Sequence, residues 1–206
     1  KAKDGLEISG LLMLPLDYQA GIKYPCIVQV HGGPESADVE GWTTNYVRWS
    51  ELLAARGYVV FSPNYRGSTG RGVAYSKADH KDLGNKEFQD VLDGIDTLAK
   101  QGMIDPQRVG MGGFSYGGYF SALAATRYSE HFKAASVGAG ITDWLSFVGT
   151  TEIPRENSMV HWNLEVYKNM KTVSESSPLA YVEKCQTAVL ISQGEKDERV
   201  PPNQAW

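Results

Sequence analysis

The sequence has little cysteine: two in 206 residues, Cys26 and Cys185. Both sit in or beside apolar stretches, so burial as small hydrophobic side chains explains them better than a disulfide framework. Neither spacing suggests a metal site, and no cofactor is implied. An excess of basic charge is also missing, because 20 Lys and Arg stand against 24 Asp and Glu for a net charge of −4. These charges are scattered along the chain, which leaves no patch for nucleic acid and no charged tail. Absent too are an apolar run of the ~18 to 20 residues that span a bilayer and a basic-then-apolar leader. The chain therefore reads as soluble, without a membrane partner, and cytoplasmic by default.

What is present suffices for a core. With 206 residues, 42% of them hydrophobic, the chain falls in the size range of one domain, taken as residues 1–206. It begins at Lys1 without a methionine and runs at once into strand-like sequence, so it is expected to be a segment of something longer, with both ends cut.

Period and punctuation give the architecture. Leu6 to Leu14, Tyr24 to Val30 and Tyr58 to Phe61 read as strands bounded by Gly or Pro, followed by Arg108 to Gly112, Ala134 to Ala139 and Thr187 to Ser192. Helical spacing lies between them. Phe88, Val91, Leu92, Ile95, Leu98 and Ala99 recur at steps of three and four, predicting a helix with Asp90, Asp93, Asp96 and Lys100 turned outward. Such alternation predicts an α/β fold: a mostly parallel sheet, helices on both faces, and functional residues after the carboxyl ends of strands. The longest irregular stretch, about Phe147 to Pro178, is a candidate lid or pocket wall.

Gly113-Phe-Ser115-Tyr-Gly117-Gly118 matches the nucleophile-elbow pattern. A strand that reverses into a helix this tightly strains the serine backbone and leaves room only for hydrogen at the flanking positions. Alone the pattern is weak, at about 0.07 chance matches per 200 residues. Its place between a strand and the small-residue helix starting at Tyr119 makes it strong, and Ser115 is the candidate nucleophile. A dinucleotide fingerprint fails here, because Gly110-x-Gly112 meets Ser115 where its third glycine should stand. Gly67-Ser-Thr-Gly70-Arg-Gly72 lacks the Gly-Lys-Ser/Thr of a phosphate loop.

His31-Gly32-Gly33-Pro34 follows a buried strand, where an early loop could present backbone N–H groups over the elbow. Gly32 and Gly33, with the N–H of Tyr116, are the candidate oxyanion donors, a kind of contact worth roughly 3 to 4 kcal/mol. His31 precedes Ser115, whereas the order for such elbows is serine, acid, histidine, so it is not assigned as the base. Asp143 and Asp197 both follow strands after Ser115. Asp197 is favoured because it ends a strongly apolar strand in a tight loop, from which it would hold a histidine tautomer. Asp143 fits better as the cap of a helix starting at Trp144.

These residues resemble the prolyl oligopeptidase family of serine peptidases, with its dipeptidyl-peptidase and acylaminoacyl-peptidase branches. The likeness spans essentially the whole chain and rests on His31-Gly-Gly-Pro34, Asn64-Tyr-Arg66-Gly-Ser-Thr-Gly70, Gly113-Phe-Ser-Tyr-Gly-Gly-Tyr119 and Gly194-Glu-Lys-Asp-Glu-Arg-Val-Pro201, in that order. It implies the α/β-hydrolase fold, hydrolysis of short peptides, and a substrate pocket of Tyr116, Ile141, Trp144, Phe147 and Val200. It also implies a β-propeller in the full-length protein, which nothing here encodes. Gln193 departs from the histidine common there. The family's catalytic histidine lies beyond one more strand after the acid, so the last strand and helix are expected to be missing.

Only His131 and His161 fall between Ser115 and Trp206. His131 follows the elbow helix, about 20 Å from the serine at 1.5 Å per residue. His161 lies in the long irregular stretch and reaches the site only by folding over it. The chain is therefore expected to lack its base, at a cost of about a million-fold that leaves some thousand-fold over water. An esterase or lipase-like hydrolase, or a non-catalytic binding module, remains open on the same fold. So do the cleavage preference and the oligomeric state, a homo-oligomer included.

Overall fold

The computed structural model describes residues 1–41 and 47–206. Six strands form one sheet: β1 (Ser9–Met13), β2 (Tyr24–Val30), β3 (Val59–Asn64), β4 (Ile104–Phe114), β5 (Ala134–Gly138) and β6 (Ala188–Ser192), in the order β1-β3-β2-β4-β5-β6. β1 runs antiparallel to β3 and every other pairing is parallel. The six expected strands are all there, although β3 continues through Asn64 and β4 begins already at Ile104. The chain moves outward from β2 to β3 and then returns past β2 to β4, so the order reverses between β2 and β4. Ligand sites in such sheets lie at that reversal. Val30 pairs with Gly113 and Phe114 with Gly138, which brings the loops after β2, β4 and β5 out at one level.

The helices are α1 (Ser50–Ala54), α2 (Val73–Ser76), α3 (Lys86–Lys100), α4 (Tyr116–Ala125) and α5 (Trp144–Thr150). α3 and α4 share one face of the sheet, where Phe88 and Phe120 meet at 5.3 Å between ring centroids. The apolar stripe of α3 is buried as its period requires. α4 is buried along its whole length, with glycine and alanine letting its backbone approach the strands. The opposite face is covered by α1 and by Trp49 over Gly112, anchored where Gln29 Oε1 accepts from the Trp49 N–H at 2.9 Å and the Ser50 hydroxyl at 3.0 Å. Beyond them it opens into an apolar cavity of about 590 Å³ running from Ile27 to Leu190.

Two expectations need correction. Asp90 and Asp93 do not face solvent: they are 1% and 6% exposed. Arg66 clamps Asp90 through Nε at 2.8 Å and Nη2 at 2.7 Å, and the Lys3 N–H and Gln89 amide bind Asp93. Periodicity placed these carboxylates opposite the apolar stripe, but it could not see that distant donors bury that side as well. Cys26 is buried, its thiol pushed up to about 12 by desolvation, whereas Cys185 is exposed and free. Among the described residues no helix is long and apolar enough to cross a membrane.

Candidate active site

Ser115 stands between β4 and α4 at φ 60° and ψ −118°. A side chain rarely adopts that region, and holding it there costs about 1 to 3 kcal/mol. The surrounding packing imposes it. A Cβ on Gly113 would come within 2.6 Å of the Val30 carbonyl oxygen, one on Gly117 within 2.2 Å of the same oxygen, and one on Gly118 within 2.3 Å of the Gly138 oxygen. The elbow is pressed onto β2 and β5, and the Ser115 N–H donates to the Gly138 carbonyl at 2.9 Å. Tyr116 opens α4, so its N–H has no acceptor within the helix and lies at the positive end of the helix dipole.

The loop after β2 lies against this turn. A Cβ on Gly32 would stand 3.4 Å from Ser115 Cβ and 3.8 Å from the Tyr116 nitrogen, and Gly33, at φ 130°, lines the same cavity as Ser115. The motif Asn64 to Gly70 braces this loop. The Tyr65 hydroxyl donates to the His31 carbonyl at 3.2 Å, and its ring stacks on the imidazole at 4.5 Å. Asn64 takes the Asp38 N–H at 2.7 Å and returns its amide to the Asp38 carbonyl at 2.9 Å, while the Thr69 N–H donates to the Ser36 carbonyl at 2.8 Å. Burial holds His31 below the usual imidazole range. The neutral ring can then donate from Nδ1 to the Gly32 carbonyl at 2.8 Å and accept at Nε2 from the Ser68 hydroxyl at 2.9 Å. His31 is thus a prop for the glycines, in keeping with its exclusion as the base.

Asp197 follows β6. Its Oδ1 accepts from the Arg199 N–H at 3.0 Å and the Val200 N–H at 2.9 Å. Oδ2 has only a long contact of 3.5 Å from the Gln193 amide, which leaves an oxygen able to accept from an imidazole. Gln193, where the sequence departs from the family pattern, ties this loop by donating to the Val200 carbonyl at 2.7 Å. Asp143 caps α5, accepting from the Leu145 and Ser146 N–H groups. No imidazole among the described residues hydrogen-bonds to Ser115 or Asp197. His131 lies beyond the far end of α4 beside Glu130.

A cavity of about 440 Å³ opens at Ser115. Tyr116, Ile141, Phe147 and Val200 line it, as four of the five expected pocket residues. Trp144 does not. It is fully buried behind them, edge-on to Phe147, Tyr119 and Trp162 at 5.1 to 5.6 Å between centroids. It supports the wall without forming it. The stretch from Phe147 to Pro178 adds Ile153, Glu156, Asn157, Val160 and His161 to the wall. His161 has therefore folded over the site, and it faces Glu35 from the loop after β2. Sequence reasoning missed Glu35, which carries no signal beyond adjacency to the His31 to Pro34 motif.

It also missed Glu87. Wholly buried on α3, Glu87 takes the Tyr116 hydroxyl and the Gly84 N–H on one oxygen, and burial drives its carboxyl well above the usual range. It anchors the side chain of the first residue of the elbow helix.

The sequence pattern of the Prolyl oligopeptidase family, Peptidase_S9, matches residues 45–206. An uncharacterised peptidase of Bacillus subtilis, YuxL, is 35% identical over 98% of this chain, and dipeptidyl-peptidase 5 of Porphyromonas gingivalis is 30% identical over all of it. The solved acylaminoacyl peptidase of Pyrococcus horikoshii superposes with a TM-score of 0.85 at 30% identity over 99% of this chain. The chain spans 30% of each of the two curated relatives and 32% of the solved one. A family pattern matching residues 45–206, with relatives at 30% identity or more over nearly the whole chain, places it plainly: the chain belongs to the prolyl oligopeptidase family of serine peptidases.

Proposed function

We propose that the protein containing this chain hydrolyses short peptides through an acyl-enzyme on Ser115. The observation that carries the reading is the strained serine, raised beside Gly32, Gly33 and the N–H of Tyr116 at the mouth of a cavity with an apolar side of Ile141, Phe147 and Val200. In the mechanism, Ser115 Oγ attacks the peptide carbonyl and gives its proton to an imidazole. The carbonyl oxygen becomes an oxyanion within reach of the Tyr116 N–H and the loop after β2. Donors fixed before the reaction stabilise that charge without reorganising. Collapse expels the amine, which takes the proton, and water then repeats the sequence to release the acid. Asp197 Oδ2 holds the imidazole tautomer and stabilises the imidazolium. Tyr116, Ile141, Phe147 and Val200 seat an apolar side chain of the acyl residue.

The imidazole comes from residues outside this chain. Supporting this is β6, the strand that carries Asp197: it is a sheet edge with every residue exposed, including Val189, Leu190 and Ile191 at 43%, 66% and 49%. An apolar edge of this kind is a template for a further strand. The test compares peptide p-nitroanilides with short-chain p-nitrophenyl esters on the complete protein. Peptide turnover that vanishes in Ser115→Ala is expected; ester turnover without peptide turnover would replace the peptidase reading with an esterase.

A further inference from the structure

The cavity at Ser115 has two walls of different origin. One is the loop after β2, which carries Gly32 and Gly33, and the other is the irregular stretch after α5. They meet at Glu35 and His161, both lining the cavity, with Glu35 Oε2 2.7 Å from His161 Nδ1. Glu35 stands two residues beyond Gly33, so whatever holds its side chain also bears on the glycine loop.

The local backbone is built to aim His161 this way. Asn157–His161 is a single π-helical turn, closed where the Trp162 N–H donates to the Asn157 carbonyl at 2.9 Å. Such turns re-aim a side chain that an α-helix would point elsewhere, and they recur at functional sites. The turn is docked a second time, where the Lys81 N–H donates to the Trp162 carbonyl at 2.9 Å. The charge around His161 is mostly negative. Glu156, from its own stretch, lies 3.5 Å from Nε2. Asp79, on the loop after α2, is 1% exposed and acts on it through the interior, and His80 faces the same group.

We propose that Glu35 and His161 form a clasp that fixes the stretch after α5 against the glycine loop, making both of them positioning residues for a peptide bound at Ser115. This rests on the reading of that cavity as the peptide site. The clasp makes one wall of the site depend on charge.

Its pH window follows from the groups around it. Burial opposes the charge on His161, but Glu35, Glu156 and Asp79 outweigh it and raise the imidazole above its ordinary value. The contribution of a raised imidazole is complete below the unfolded value and fades as pH rises through the folded one. Burial also opposes charge on Glu35, yet His161 holds it below the ordinary carboxylate value, so its contribution fades as pH falls through that lowered value. The clasp is closed between the two. Asp79, pushed by burial up to about 7, adds negative charge beside the imidazole as it ionises, whereas burial keeps His80 below its ordinary value.

The experiment uses the complete protein with a peptide p-nitroanilide, in wild type, Glu35→Gln, His161→Gln and the double variant. Each single variant is expected to raise KM about three- to tenfold with kcat within about twofold, and the double variant to be no worse than either single. In wild type KM should rise as pH passes the raised value of His161. A histidine NMR titration, with the signal assigned by its loss in His161→Gln, should give a value above about 6.5 that falls in Glu35→Gln. Single effects that multiply in the double variant, or an imidazole that titrates at its ordinary value and ignores Glu35→Gln, would overturn the clasp. Wild type that cleaves no peptide at all would defeat the peptidase reading instead, and the NMR titration would still judge the Glu35–His161 pair.

Discussion

The two halves of the candidate site are built differently. Ser115 and the candidate oxyanion donors sit at the centre of the sheet, between strands paired on both sides and beside a helix buried along its length. Every neighbour there is fixed by close packing: the glycines of the elbow touch backbone, and the glycine loop is braced by Tyr65, Asn64, Ser68 and Thr69. Asp197 follows instead an edge strand exposed at every residue, in a loop held by its own carboxylate, by Gln193 and by the segment after α5, where the Glu152 N–H donates to the Glu198 carbonyl at 3.0 Å and the Thr151 hydroxyl to the Arg199 carbonyl at 2.7 Å. The strained serine is thus supported by the core, whereas Asp197 is held by a loop at the sheet edge and by the segment after α5.

That contrast can be sharpened by substitution, from the largest expected effect to the smallest. Leu123→Ala, at a fully buried position of α4, should cost about 2 to 5 kcal/mol in chemical denaturation, because it leaves a cavity in close-packed surroundings. Gly117→Ala should cost about 1 to 3 kcal/mol, since its new methyl must displace the Val30 carbonyl. Leu190→Ala, 66% exposed in this chain, should stay within about 0.5 kcal/mol here. In the complete protein the same Leu190 change should approach the cost at Leu123. Equal small effects in both forms would mean that nothing covers β6, and the comparison between the two halves would lose its explanation.

Much of this was legible in the residues. The strands announced themselves by short apolar runs, and α3 by its three-four spacing. The elbow was readable because geometry leaves no alternative to glycine beside Ser115. Local sequence was silent where the deciding contact was distant. Asp90 and Asp93 look like solvent-facing charges until Arg66 and the backbone of Lys3 arrive from far along the chain. Trp144 is expected in the pocket only through the family resemblance, and the short helix it opens turns it into the core, as its bare sequence suggests. The motif Asn64 to Gly70 could be recognised but not understood, because its task is to brace another loop. Glu35 and His161 are 126 positions apart and belong to no shared pattern, so only the folded chain brings them together.

Whether Ser115 is a nucleophile activated through Asp197 is tested most directly by fluorophosphonate labelling of the complete protein with the adduct mapped by mass. A single adduct on Ser115 is expected, formed about 10⁴-fold more slowly in Asp197→Asn because the imidazole loses its tautomer. An adduct on any other residue, or labelling of Asp197→Asn at the rate of wild type, would contradict that role.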